Sequence, residues 1–235
     1  IPKSCEDIIK IVQFSKKNKI KISFIGSGSN IVASDKGFNG IIISLKKAFN
    51  KIIFSKDEIN VESGAMLSSM VKKAINKGYK GFESLVGVPG TVGGALIMNA
   101  GAHGSEISEL FISARTIDNN GEIKFYKRSD INFSYRDSSF PKEEILLDAK
   151  FKLIKGSQVQ INQKKKDVSI KRKASQPLSY KSAGSIFKNP SSKIAAGYLI
   201  DQAGLKGLRI GDAEISQKHA NFIINHGNAK ASEII

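Results

Sequence analysis

One cysteine, Cys5, stands in a chain of 235 residues. No intrachain disulfide can form, which fits a protein of the reducing cytosol. The histidines are also few. His103, His219 and His226 lie far apart, so with one cysteine they offer no zinc-type ligand cluster, and no metal is expected. No apolar run approaches the roughly 20 residues of a membrane span, no signal peptide is evident, and internal repeats are absent. Arginine is scarce beside lysine: Arg115, Arg128, Arg136, Arg172 and Arg209 stand among 37 basic residues. Direct base reading leans on arginine's planar fork, and the aromatic–basic interleaving of single-strand binders is missing. The net charge of +16 and pI near 9.8 therefore read mainly as surface bias, with some benefit for anionic phosphate ligands. A basic nucleic-acid-binding protein without catalysis remains an alternative. The first residue is Ile1 rather than Met, so a natural start is expected upstream.

The apolar fraction of 40% suffices for a folded core, and the length suits one large or two to three small domains. The most informative stretch is 87–104, Gly-Val-Pro-Gly-Thr-Val-Gly-Gly-Ala-Leu-Ile-Met-Asn-Ala-Gly-Ala-His-Gly, which carries no Asp, Glu, Lys or Arg. Glycine loses the most backbone freedom on folding, so a cluster needs a reason. Close approach of backbone N–H groups to an anion is one; packing of a tight turn against a strand is the other. A second glycine site follows the alternating strand pattern of residues 19–25. There Gly26-Ser27-Gly28-Ser29-Asn30 opens like a dinucleotide fingerprint, but Ile31 stands at the third glycine position. Ile31-Val32-Ala33 is β-prone, and a Rossmann turn must run into a helix. What remains is a short strand-to-strand loop rich in N–H and hydroxyl donors, suited to a pyrophosphate.

Ser4-Cys5-Glu6-Asp7 has the form of a capping box ahead of an apolar helical face, Ile8, Ile9, Ile11 and Val12. Residues 38–45 read as a strand, and 51–61 as a hairpin turning at Lys56-Asp57. Met66, Leu67, Met70, Val71, Ala74 and Ile75 have helical spacing, with Gly78 as C-cap. Asn119-Asn120-Gly121 signals a hairpin between 109–117 and 123–126. Residues 158–175, with Lys164-Lys165-Lys166 and Lys171-Arg172-Lys173, read as a solvated basic helix leading to a domain boundary. A helix is expected through Ala195, Tyr198 and Leu199, a strand over 219–225, and the start of a helix at 231–235.

The order of these motifs carries a resemblance. Gly26-Ser27-Gly28-Ser29-Asn30, then Val88-Pro89-Gly90-Thr91-Val92-Gly93-Gly94 and Asn99-Ala100-Gly101, resemble the FAD-binding domain of vanillyl-alcohol-oxidase-type flavoproteins. Four further stretches narrow it: Phe133-Ser134-Tyr135-Arg136-Asp137-Ser138, the Gly184–Pro190 cluster, residues 196–207, and His219-Ala220-Asn221-Phe222. Together they resemble the UDP-N-acetylenolpyruvoylglucosamine reductase (MurB) family over nearly the whole chain. The resemblance implies noncovalent FAD, held by Gly26, Ser27, Gly28, Ser29, Asn30, Pro89, Gly90, Thr91, Gly94, Asn99 and Gly101. It implies NADPH as hydride donor, hydride delivery through the flavin to C3 of an enolpyruvyl group, and protonation at C2. By the same matching Ser185 is the proton donor and Arg136 holds the enolpyruvyl carboxylate. Tyr135, Lys173, Lys188 and Asn189 meet the UDP-sugar.

The fold it implies is α+β, a FAD-binding domain of two subdomains plus an α+β substrate-binding domain. Residues 1–155 would be the FAD-binding domain (about 1–50 and 51–155), 156–175 a basic helix or linker, and 176–235 an incomplete substrate domain. The family's C-terminal glutamate is expected beyond Ile235, and Glu233 sits too early to replace it. Phe140-Pro141-Lys142-Glu143-Glu144 leads straight into the 145–153 strand, as in the branch without a tyrosine-bearing insertion. Small-molecule partners and a cytoplasmic location follow, with no nucleic-acid or membrane partner. Another FAD oxidoreductase of the same superfamily is a further alternative; a covalent flavin would need His103, the one candidate in the glycine region.

Overall fold

Helix α1 (Cys5–Asn18) starts at the capping box that the sequence predicts. Ser4 Oγ accepts from the Asp7 amide at 3.2 Å, and Asp7 Oδ2 accepts from the Ser4 amide at 3.3 Å. The computed structural model describes residues 1–235. Ile8 and Val12 of α1 share a core with Ile43, Leu45 and Phe49, and with Ile117, Ile145 and Leu147. Strand Ile22–Ile25 pairs in parallel with Ile41–Ser44. Between them Ile31 and Val32 are exposed and no strand forms. The β-prone reading of 31–33 is thus corrected: two β-branched residues without a partner strand gain nothing from an extended ladder.

The main sheet is antiparallel, in the order Ile52–Phe54, Glu58–Glu62, Ile145–Lys152, Phe111–Ile117, Ile123–Lys127. Both hairpins fall where the turn chemistry predicts. The central strand 145–152 is buried over most of its length. Helix α2 (Leu67–Asn76) turns Leu67, Met70, Val71, Ala74 and Ile75 inward, in a core with Ile59, Val61, Ala149 and Phe151. Each fully buried large side chain there is worth roughly 1.5–3 kcal/mol. Phe111 meets Phe133, Phe140 and Phe151 edge-on at centroid distances of 5.4, 6.0 and 6.3 Å.

A short helix, α3 (Val92–Ile97), lies inside the glycine segment that the sequence reads as loop. Helix propensity cannot announce a Val-Gly-Gly start. Tertiary hydrogen bonds fix it instead: Val92 N donates to Ala65 O at 2.8 Å and Gly93 N to Ser63 O at 2.9 Å. Helix α4 (Gln158–Ser175) buries only Ile161 and Val168, as its basic composition foretells.

Contacts divide the chain into residues 1–27 with 39–168, and residues 28–38 with 169–235. The second unit carries a sheet in the order Lys181–Ser185, Phe222–Asn225, Ala213–Ile215, Arg209–Ile210, with helices α5 (Ala196–Gln202) and α6 (Ala231–Ile234). Residues 28–38 join it through Asp35. Its carboxylate accepts from the Ala231 amide at 2.7 Å and the Ser232 amide at 3.0 Å, at the start of α6. These bonds, Ser232's first, hold the Asp35 carboxyl below the usual carboxylate range.

Candidate functional site

In the first unit the two glycine segments meet. A Cβ placed on Gly26 would collide with Thr91 Oγ1, so Gly26 lies against the turn that starts α3. Thr91 is buried and caps α3, its Oγ1 accepting from the Gly94 amide at 3.3 Å. Leu67 N donates to Gly90 O at 3.0 Å. Gly93 is packed: a Cβ there would stand 2.8 Å from Ser63 Cβ. Gly94 is exposed, and its Cβ would meet nothing closer than Thr91 Oγ1 at 3.5 Å. Neighbouring glycines thus answer the two readings separately, one by packing and one by open space. Ser27 ends the first glycine site within this unit, while Gly28, Ser29 and Asn30 cluster with the second. Pro89 is exposed beside the buried Gly90.

Downstream the chain is pinned. Asn99 is fully buried with φ +42°. Its Nδ2 donates to Glu106 Oε2 at 2.5 Å and to Ser134 O at 2.9 Å, while its Oδ1 is buried without a partner. Arg136 sits at the tip of the hairpin formed by Phe133–Ser134 and Asp137–Ser138, with φ +57°. Its guanidinium donates to Gly101 O at 2.6 Å and lies 5.1 Å from the centroid of the exposed Tyr135 ring. Ser138 Oγ donates to Ile97 O at 2.6 Å. The structure therefore brings Arg136 and Tyr135 to the glycine segment. Two surface clefts, of about 260 and 420 Å³, lie elsewhere in this unit, around Arg115–Asp148 and beside Val12 and Phe24. Arg115 forks onto Asp148 through Nε at 3.0 Å and Nη2, a pairing internal to the sheet.

In the second unit Ser185 follows a bulge. Ser182 faces Ile224 and Ser185 faces Phe222, so the 181–185 strand carries one residue more than its partner. Gly184 takes φ +83° there, a conformation that costs other residues about 1–2 kcal/mol. The bulge leaves Ser185 exposed. The next residues are clamped by the buried Asn221: Phe187 N donates to its Oδ1 at 2.9 Å, and its Nδ2 donates to Phe187 O at 2.9 Å. Asn221 was legible only as part of a motif, without a role. Lys188 is exposed. Asn189 turns its Oδ1 to the Ala196 amide at 3.1 Å, capping α5, so that oxygen is engaged within the fold. Lys173 is exposed, and its carbonyl accepts from Lys218 Nζ at 2.5 Å. His219 Nδ1 accepts from the Asn221 amide at 3.2 Å, which places the neutral ring's proton on Nε2. Burial pushes its pKa below the ordinary 6.5.

Comparison with known proteins gives the class first. A family model described as an FAD binding domain matches residues 1–125. The Bermuda grass isoallergen BG60 shares the fold at 15% identity, with a TM-score of 0.52 over 67% of this chain and 35% of that one. The chain is an α+β flavoprotein fold with an FAD-binding domain, and FAD is its cofactor.

The family is specific. A model described as the UDP-N-acetylenolpyruvoylglucosamine reductase C-terminal domain matches residues 176–235. The crystal structure of MurB from Thermus caldophilus superposes with a TM-score of 0.87 at 33% identity, over 99% of this chain and 82% of that one. The reductase of Caldicellulosiruptor bescii is 46% identical over 99% of this chain and 74% of its own length. That of Carboxydothermus hydrogenoformans is 41% identical over 100% and 78%. The chain belongs to the UDP-N-acetylenolpyruvoylglucosamine reductase family. No helix is long and apolar enough to cross a membrane.

Proposed function

We propose that this chain is a flavin-dependent, NADPH-consuming reductase of the cytoplasm. It reduces the enolpyruvyl ether of UDP-N-acetylglucosamine to the lactyl ether, UDP-N-acetylmuramate, in peptidoglycan synthesis. The observation that carries the reading is the meeting of Gly26 with Thr91, two segments far apart in sequence joined at a spacing that admits no side chain. The family likeness over the whole chain supports the substrate. Residues 1–155 serve the flavin and 176–235 the substrate, in keeping with the family models over 1–125 and 176–235.

The residues fit FAD. Gly26, Ser27, Pro89, Gly90, Thr91 and Gly94 would hold the flavin: Gly26 and Gly94 both lie against Thr91, Gly94 is open to solvent, and the buried Asn99 Oδ1 has an acceptor position to spare. Gly28, Ser29 and Asn30 continue the first glycine loop, and Gly101 the second. FAD, when bound, supplies the hydride relay from NADPH to C3 of the enolpyruvyl group. Arg136 holds the substrate carboxylate and steadies the enolate charge with its fork. Ser185 gives a proton to C2, and as a weak acid it needs a neighbour to stabilise its alkoxide or relay a proton. Tyr135, Lys173, Lys188 and Asn189 bind the UDP-sugar, the lysines answering its diphosphate.

The absorbance spectrum of the purified protein tests the flavin, with bands expected in the blue and near-ultraviolet. NADPH oxidation that depends on the enolpyruvyl substrate tests the reaction. A colourless protein that binds DNA with steep salt dependence would overturn the reading.

A further inference from the structure

The glycine segment and the arginine hairpin are tied by three hydrogen bonds within five residues of one another. Ser138 Oγ reaches Ile97 O at 2.6 Å, Asn99 Nδ2 reaches Ser134 O at 2.9 Å, and Arg136 reaches Gly101 O at 2.6 Å. Two of the residues involved hold left-handed backbone, Asn99 at φ +42° and Arg136 at φ +57°. Such conformations cost of order 1–3 kcal/mol outside glycine and persist where the surroundings over-determine them. Asn99 meets the requirement. It is wholly buried, and both hydrogens of its Nδ2 are spent on Glu106 and Ser134. Those two partners are acceptors, which fixes the orientation of the amide.

We infer that Asn99 and Ser138 are positioning residues that lock the Arg136 hairpin to the flavin-binding segment, so that the arginine is placed by the same backbone that holds the cofactor. This rests on the reading of Arg136 as the substrate's carboxylate and enolate partner. The chemistry needs such a lock. A guanidinium at the tip of a hairpin of two-residue strands has little fold of its own to fix it, and a displacement of about 1 Å can cost roughly 10²-fold in rate. The bonds to 97–101 supply the missing rigidity from a segment anchored on Ser63 and Ala65. The Asn99 side chain is thereby a strut with one donor on the hairpin, at Ser134 O, and the other held by Glu106.

The test uses Asn99→Gly, which accepts the left-handed backbone but removes both donors, and Ser138→Ala, which leaves Asn99 untouched. Flavin content, flavin reduction by NADPH and flavin reoxidation by the enolpyruvyl substrate are measured by stopped-flow absorbance. Ser138→Ala is expected to keep its flavin and to be reduced within about threefold of the parent, while in both variants reoxidation, measured per bound flavin, slows about tenfold or more. In an Arg136→Lys background neither change should slow reoxidation further, because the residue being positioned is already gone. Unchanged reoxidation in both variants, or slowing that adds fully to Arg136→Lys, would overturn the inference. Equal slowing of both half-reactions would do so as well. Parental reoxidation in the flavin-loaded fraction of Asn99→Gly would make Asn99 a cofactor ligand alone and not a strut. Normal reoxidation in Arg136→Lys alone would mark failure of the underlying reading of Arg136, a separate result.

Discussion

Gly93 and Gly94 are adjacent, yet the structure assigns them opposite responses to one methyl group. A Cβ on Gly93 would stand 2.8 Å from Ser63 Cβ and 3.1 Å from Ser63 O, where the Gly93 amide is already bonded at 2.9 Å. Gly93→Ala must push α3 off its anchor, at a cost of about 1–3 kcal/mol, the usual range for overpacking. At Gly94 the new Cβ would meet only Thr91 Oγ1 at 3.5 Å, an ordinary contact. Alanine is the better helix former by about 0.5–1 kcal/mol, so Gly94→Ala is expected to stabilise the flavin-free protein. For a domain of this size that is a rise in Tm of about 1–4 °C. The same methyl fills space assigned to FAD, so the flavin Kd should rise about tenfold or more, or roughly 1.4 kcal/mol. Thermal melts of the flavin-free variants and flavin titration by fluorescence measure both quantities. A Gly94→Ala protein that gains stability and binds FAD as tightly as its parent would refute the placement of the cofactor. A Gly93→Ala protein of undiminished stability would refute the packing argument.

Three further outcomes are expected. Ser185→Ala should leave flavin reduction by NADPH near normal and slow reoxidation by the enolpyruvyl substrate about 10²-fold or more, the range for losing a general acid; unaltered reoxidation removes Ser185 from the reaction. Arg136→Lys keeps the charge but loses the fork, so substrate-driven reoxidation should fall sharply, and parental turnover in this variant would show that geometry there is unimportant. His219 is held below its ordinary pKa by burial, so the unfolded chain binds more protons as pH falls through about 6.5. Its contribution is full above that pH and is lost on acidification. Tm should therefore drop between pH 7.5 and 5.5, and less so in His219→Gln; an identical drop in the variant would acquit the histidine.

Local signals were legible where local physics decides. The Ser4–Asp7 box, the Lys56-Asp57 and Asn120-Gly121 turns, and the apolar stripe of α2 each form as their residues require. Helix α3 was not legible, because its start depends on Ser63 and Ala65 from another segment. Residues 31–33 look extended in composition but find no strand to pair with. In the site, the motif order pointed to Gly26, Thr91, Arg136 and Ser185. The left-handed backbone at Asn99 and Arg136, the Asn221 clamp and the capping use of Asn189 come from tertiary contacts that no spacing rule encodes.

The bulge before Ser185 decides which face of the sheet that side chain takes. Side chains along a strand alternate between its faces with a period of two, and the extra residue between Ser182 and Ser185 shifts the phase of everything after it. Ser182 stands opposite Ile224 and Ser185 opposite Phe222, so the two serines share a face although three positions separate them. A ladder that took up the same residues with strict alternation would turn Ser185 to the other face, although every chemical group of the motif would still be present. The placement of Ser185 therefore depends on the bulge, and with it on the left-handed backbone at Gly184.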